Sequence, residues 1–223
     1  LGAINEWFDA NRHTSNYAYI YNKYFKAPKS RWSQLYGEYS SIHGDRISPY
    51  DDILKEYAGL IDWDWRLLAA QMYQESKFQV NARSWAGAFG LMQFMPATAE
   101  QYGIDSSSSP EAHIRAAILY LRWLDDYWQK RIFDPEERIR FVLAAYNAGL
   151  GHVIDATNLA ASLGYDPFRW EGNVAECMLL KSKPEYYTMQ EVKHGYCRGR
   201  EPYDYVKKIL HQYDHYRSVI QDT

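Results

Sequence analysis

After Pro110 the chain places Ile114, Ala117, Ile118, Leu121, Leu124 and Trp128 at steps of three and four, the repeat that puts apolar side chains on one face of an α-helix. The stretch from Tyr205 to Val219 does the same with Val206, Ile209, Leu210, Tyr213 and Tyr216. No segment sustains the period of two that a half-buried strand requires. Stripes of this kind are buried by packing helix on helix, so the expected class is mainly α. Helix starts are written into the sequence as well. Ser48-Pro49 with Asp51, Ser109-Pro110-Glu111 and Asp134-Pro135-Glu136 each join a capping side chain to a proline at the first helical position and a nearby carboxylate. Pro96 opens a further helix that Gly103 is expected to end.

The chain has 223 residues, 47% of them hydrophobic, enough for one large domain or a domain with an appendage. No apolar run approaches the roughly 18 residues of a membrane span. The net charge of -3, with basic residues scattered, gives no electrostatic case for nucleic acid. The start at Leu1 has neither Met nor signal-peptide anatomy and reads as a trimmed or internal beginning. Residues 1–47, rich in Tyr and Asn with short helical patterns, read as an appendage to a main domain spanning 48–223.

Three stretches could carry chemistry. In a helix expected from about Trp63 to Lys77, the stripe Ile61, Trp65, Leu68, Met72 continues to Glu75. A carboxylate on a buried stripe is desolvated, which raises its pKa and keeps it protonated near neutrality, as a general acid for glycosidic cleavage must be. A Glu neutralised by an internal Arg or Lys is the structural alternative. The second stretch runs from Arg83 to Pro96, where two glycines allow tight turns, Met and Phe offer adaptable apolar walls, and Gln93 offers both a donor and an acceptor. Alone it is compatible with a plain connector. The third, Ala144-Ala145-Tyr146-Asn147-Ala148-Gly149, closes the helix that starts near Pro135; its Tyr could face a cleft or simply be half-buried. With 21 Tyr and 8 Trp there are rings to spare for packing on sugar faces, a weak signal by itself.

Together, Glu75-Ser76, Gly90-Leu91-Met92-Gln93-Phe94-Met95-Pro96 and Ala144 to Gly149 resemble, in order and spacing, the soluble lytic transglycosylase family, relatives of goose-type lysozyme. The resemblance covers roughly residues 50–215. It implies a lysozyme-like helical domain with a short irregular or hairpin segment after the catalytic helix. Ser84 and Glu201, the latter ahead of Tyr205-Val206, match further family positions. Ile61 to Ala70, Gly151 to Ala156 and Gly195 to Val206 resemble a membrane-bound subgroup, and residues 1–25 resemble the last helices of the solute-binding-type domain that precedes catalysis there.

The resemblance implies cleavage of peptidoglycan glycan strands by one Glu. Glu75 would protonate the oxygen between N-acetylmuramic acid and N-acetylglucosamine, then take the C6 hydroxyl proton as that oxygen closes on C1 to give a 1,6-anhydro end. Ser84 and Gln93 would hydrogen-bond substrate, Met95 would pack on a sugar ring, Tyr146 would position the acetamido group or the catalytic carboxyl, and Glu201 would orient the site. No cofactor is implied. The setting would be the periplasm, with outer-membrane association only through parts outside this chain; oligomeric state is left open. The rivals are a lysozyme-like hydrolase, which would use water in place of the C6 hydroxyl, a catalytically silent binding module, and a metal site on His211 and His215 at i, i+4, for which no Cys or Glu stands nearby as zinc hydrolases require. Cys177 and Cys197 lie outside the family pattern. They are candidates for a disulfide, which would contribute about 3 kcal/mol on the loop-entropy model and fit an oxidising compartment; two free thiols are the alternative.

Overall fold

The structure is a computed structural model, and it describes residues 46–220. The reading of residues 1–45 as an appendage lies outside the described residues.

The capping signals act as the sequence implies, with one displacement. Ser109 accepts from the Ala112 amide at 3.2 Å and Asp134 accepts from the Glu136 and Glu137 amides at 3.0 and 3.3 Å, so α4 (Pro110–Trp128) and α5 (Pro135–Ala148) begin at their prolines. The first helix, α1 (Asp51–Ala58), starts two residues after Pro49. Ser48 and Asp51 do pair, hydroxyl to carboxylate at 2.7 Å, but Asp51 also accepts from the amides of Ile47 and Ser48, and this closed turn delays the helix. The next helix, α2 (Trp65–Ser76), is capped by Asp64 through the Arg66 amide at 2.9 Å. Then come α3 (Pro96–Gln101), with Gly103 at φ +66° just beyond its end, and, after α5, α6 (Leu150–Ser162). Gly149 ends α5 and starts α6 with φ +90° and ψ 142°, a backbone state for which only glycine has no steric cost. A π-type turn at Trp170–Val174, kinked at Glu171-Gly172, leads into α7 (Ala175–Leu180), followed by α8 (Pro184–Tyr187) and the long α9 (Arg200–Val219).

The expected hairpin segment is reduced to two isolated antiparallel bridges, Arg83 with Phe89 and Phe89 with Phe94. Everything else regular among the described residues is helical. Helix α2 packs on α1 and α9, while α5 packs on α4, α6 and α9. Leu67, Leu68 and Met72 from α2, Leu121 and Leu124 from α4, Phe141 to Ala145 from α5 and Ile209 from α9 are all at most 1% exposed. Each large one contributes about 1.5–3 kcal/mol by leaving water.

One polar clasp sets the register between α2 and α9. Arg66 holds Asp64 through Nε and Nη2, the latter at 2.6 Å, and donates from Nη1 to the Ile220 carbonyl at 2.8 Å. The Tyr213 hydroxyl also donates to Asp64, at 3.0 Å. The start of α2 is thereby fastened to the end of α9, so the helices run antiparallel. The end of α2, with Glu75, must then meet the start of α9.

The disulfide expectation is corrected. Cys177, on α7, and Cys197 are both free and buried. Cys177 is fully enclosed by the core, and the Cys197 amide is spent on the Lys181 carbonyl at 3.2 Å. Burial pushes both thiols up, Cys177 to about 11, which makes them poor thiolates and inert to exchange.

Candidate active site

Glu75 sits in the last turn of α2, half-buried, with its carboxyl in a pocket of apolar and phenolic groups. Loss of solvation raises its pKa to about 7, and a hydrogen bond donated by the Tyr205 hydroxyl pulls it partly back. Tyr205 comes from the second turn of α9 and is itself anchored: the Gln71 amide nitrogen donates to its hydroxyl at 3.3 Å. Gln71 lies one helical turn before Glu75, on the same face. Its carbonyl oxygen is buried without a hydrogen-bond partner among the described residues. No other carboxylate influences Glu75 among the described residues; burial and Tyr205 account for the shift.

Tyr146, near the end of α5, is the second phenol of the site. Its hydroxyl donates to the Met92 carbonyl at 2.9 Å, and its pKa is raised well above the usual value by burial and then by the neighbouring Glu75 charge. The 82–95 loop is thus tied to α5 beside the carboxyl. Its inner turn depends on Gly90, at φ +79°, where an added Cβ would stand 2.3 Å from the buried His113 ring of α4. Gln93 also adopts positive φ, +49°, and its amide nitrogen donates to the Ala82 and Gly90 carbonyls at 3.2 and 2.9 Å. Both donors are therefore spent on the loop, and the carbonyl oxygen is what Gln93 has left to offer. Ser84 accepts from the Ala88 amide at 2.9 Å, which leaves its hydroxyl proton to donate. Met95, at the N-cap of α3, is 46% exposed. A train of rings leads away from Tyr146: Tyr120 at 5.2 Å between centroids, then Tyr102 at 5.7 Å and the half-exposed Trp123 stacked at 5.9 Å.

Glu201 is placed elsewhere. It lies in the first turn of α9 with its carboxylate 62% exposed and paired with Arg198 at 3.1 Å. The residue that reaches Glu75 from this segment is Tyr205, one turn later on the helix. Sequence reasoning passed over it, although the Tyr205-Val206 pair that it flagged contains it. Gln71 was also missed, and an uncharged polar side chain on the same stripe as Glu75 was the available signal.

The sequence model described as the transglycosylase SLT domain matches residues 54–168, more than half of the chain, and these contain Glu75, the 82–95 loop and Tyr146. The chain belongs to the transglycosylase SLT domain family. Among SLT relatives, the membrane-bound lytic murein transglycosylase F of Desulfosudis oleivorans is 35% identical over 214 residues, 95% of this chain and 46% of that protein. Its namesake from Shewanella loihica is 42% identical over 170 residues, 76% of this chain and 34% of that protein. The chain thus spans less than half the length of these relatives. The crystal structure of the 70 kDa soluble lytic transglycosylase of Escherichia coli shares the fold, with a TM-score of 0.51 at 23% identity over 86% of this chain and 27% of that one. The mainly α, lysozyme-like class expected from the SLT resemblance therefore holds.

Proposed function

We propose that this chain is the catalytic part of a peptidoglycan lytic transglycosylase, which cuts the β-1,4 bond between N-acetylmuramic acid and N-acetylglucosamine and leaves 1,6-anhydro ends. The observation that carries this reading is a desolvated carboxyl with a pKa of about 7, held by a phenol and, among the described residues, without a carboxylate partner. A retaining glycosidase uses two carboxyls about 5 Å apart, and an inverting one needs a second to activate water. A single group that titrates near neutrality can give a proton and take one back within a single cycle.

Glu75 protonates the leaving oxygen. Positive charge develops at C1, supported by the substrate's own acetamido group. The Glu75 carboxylate then accepts the C6 hydroxyl proton while that oxygen closes on C1. Tyr205, whose bond favours the carboxylate form, eases the first half of the cycle, in which Glu75 gives up its proton. In this reading the Ser84 hydroxyl and the Gln93 carbonyl bond sugar hydroxyls or amides, and Met95 packs on a ring. Tyr146 acts by holding the loop at Met92 and by walling off the carboxyl. Glu201 has a surface role through Arg198. The names of the relatives support a membrane-associated bacterial setting, and a peptidoglycan substrate fits work in the periplasm. Residues 1–47 fit the end of a preceding solute-binding-type domain.

The test is digestion of purified sacculi by the chain and by Glu75→Gln, with the released fragments weighed by mass spectrometry. Anhydro ends that vanish in the variant are the expected result. Reducing ends, heavier by one water, would make the chain a hydrolase. Binding to sacculi without any product would make it a binding module.

A further inference from the structure

On another face of α2, that helix and α9 line a broad, open concavity of about 620 Å³. On α2 its wall includes Tyr73, Gln74 and Lys77, which turn away from the stripe of Gln71 and Glu75. On α9 it includes Lys207, Lys208 and His211. Three lysines and a histidine thus line it, on a chain whose net charge is -3. Among the described residues, none of the three lysines has a carboxylate within ion-pair distance. The one acid in the wall, Asp204, faces Arg200 at 3.9 Å.

Two further features set this pocket apart from an ordinary solvated face. Lys77 ends α2 in the left-handed conformation, φ +54° and ψ 37°, where glycine or asparagine is the unstrained choice. The chain keeps a lysine there, with its ammonium 3.8 Å from the centroid of the Tyr73 ring, at the pocket wall. Lys77 is also partly desolvated and lies within reach of the Lys208 charge, and both effects lower its pKa. Like charges gathered across a concavity are relieved by an anion between them. The volume exceeds what one inorganic anion fills, and the Gln74 amide in the wall offers a donor and an acceptor for peptide groups.

From this geometry we infer that the pocket formed by Lys77, Lys207, Lys208 and His211 binds the carboxylates of a short acidic peptide. It rests on the reading of the chain as an enzyme of peptidoglycan, whose strands carry such peptides. The pocket then serves as a docking site for a stem peptide, separate from the cleft that receives the sugars.

The test is calorimetric titration of the whole 223-residue chain with the dipeptide L-alanyl-γ-D-glutamate, its uncharged diamide and inorganic phosphate. The dipeptide should bind, more weakly as salt rises, and the diamide should not. Lys77→Gly with Lys208→Gln should weaken dipeptide binding at least tenfold while the melting temperature holds or rises, because glycine suits the backbone at 77. Glu75→Gln should bind the dipeptide as well as the parent chain does. Equal binding by the double variant, or by the diamide, would overturn the proposal, and phosphate binding as tight as the dipeptide would reduce the pocket to a general anion site and overturn its peptide assignment. No catalysis enters these readouts, so failure to find anhydro products would count against the proposed function and leave this result standing.

Discussion

Glu75 and Asp155 are both carboxylates taken from water, and desolvation is the largest influence on each. They end at opposite extremes. Asp155, fully buried on α6, accepts from Lys181 Nζ at 2.7 Å and from the amides of Lys193 and His194 at 2.8 Å each, with the His194 ring at 3.2 Å. Its pKa falls to about 2. Glu75 receives one phenol and its pKa rises to about 7. Burial by itself therefore decides little; the number and charge of the donors decides whether a buried carboxyl becomes a staple or an acid. The Asp155 group is a staple: it fastens the chain before α9 onto α6, with Lys181 itself 0% exposed, its pKa lowered by burial and only partly restored by that carboxylate.

The contrast can be broken most forcefully at Glu75. Glu75→Gln should cut the release of anhydro-ended fragments by about 10²- to 10⁴-fold while the fold is retained, since only a proton-transferring group is lost. At the other site the loss should be in stability. Lys181→Met leaves the Asp155 charge buried without its main partner and should destabilise the domain by about 3–5 kcal/mol in urea unfolding, with little direct effect on chemistry. Activity collapsing before stability in that variant would mean the two regions are not separable.

A smaller change sharpens the role of the phenol. Tyr205→Phe removes the bond that favours the Glu75 carboxylate, so the Glu75 pKa should rise further. The corresponding limb of the pH dependence of kcat/KM should move to higher pH, with a rate loss of about tenfold at neutrality, within the range of one hydrogen bond to a charged group. A variant that loses rate with an unshifted profile would make Tyr205 merely structural.

The two carboxyls should also leave opposite marks on stability. Glu75, raised from 4.5 to about 7, contributes stability that is fully present below pH 4.5 and lost as the pH rises through about 7. Asp155, lowered from 3.8 to about 2, contributes stability present above pH 3.8 and lost as the pH falls through about 2. Urea titrations across pH should show the alkaline loss reduced in Glu75→Gln and unchanged in Lys181→Met. The smallest effect is at the cysteines beside the staple: reductant should leave the melting temperature unmoved, whereas a bridge worth about 3 kcal/mol would shift it by several degrees.

Much of the fold was legible because helices are local objects. Ser109, Asp134 and the prolines after them mark starts whose hydrogen bonds close within three residues, and the stripes of α4 and α9 face the core as their spacing requires. The limits of such reading are local too. The start of α1 moved because Asp51 closed a turn with Ile47 and Ser48 before the helix could form. The cysteines, read by loop length, stayed unbridged because that length says nothing about what surrounds each thiol.

The sequence by itself determined the class of the fold, the starts of α3, α4 and α5 at their prolines, and the presence of a carboxyl on a buried stripe with three motifs in a telling order. Only the tertiary structure decided what that carboxyl meets. The Arg66 clasp aligns α2 with α9, and the alignment brings Tyr205 to Glu75 across 130 positions while Glu201 turns to the surface with Arg198. A pKa is set by desolvation and by donors contributed from distant segments, and neither quantity exists until the helices have packed.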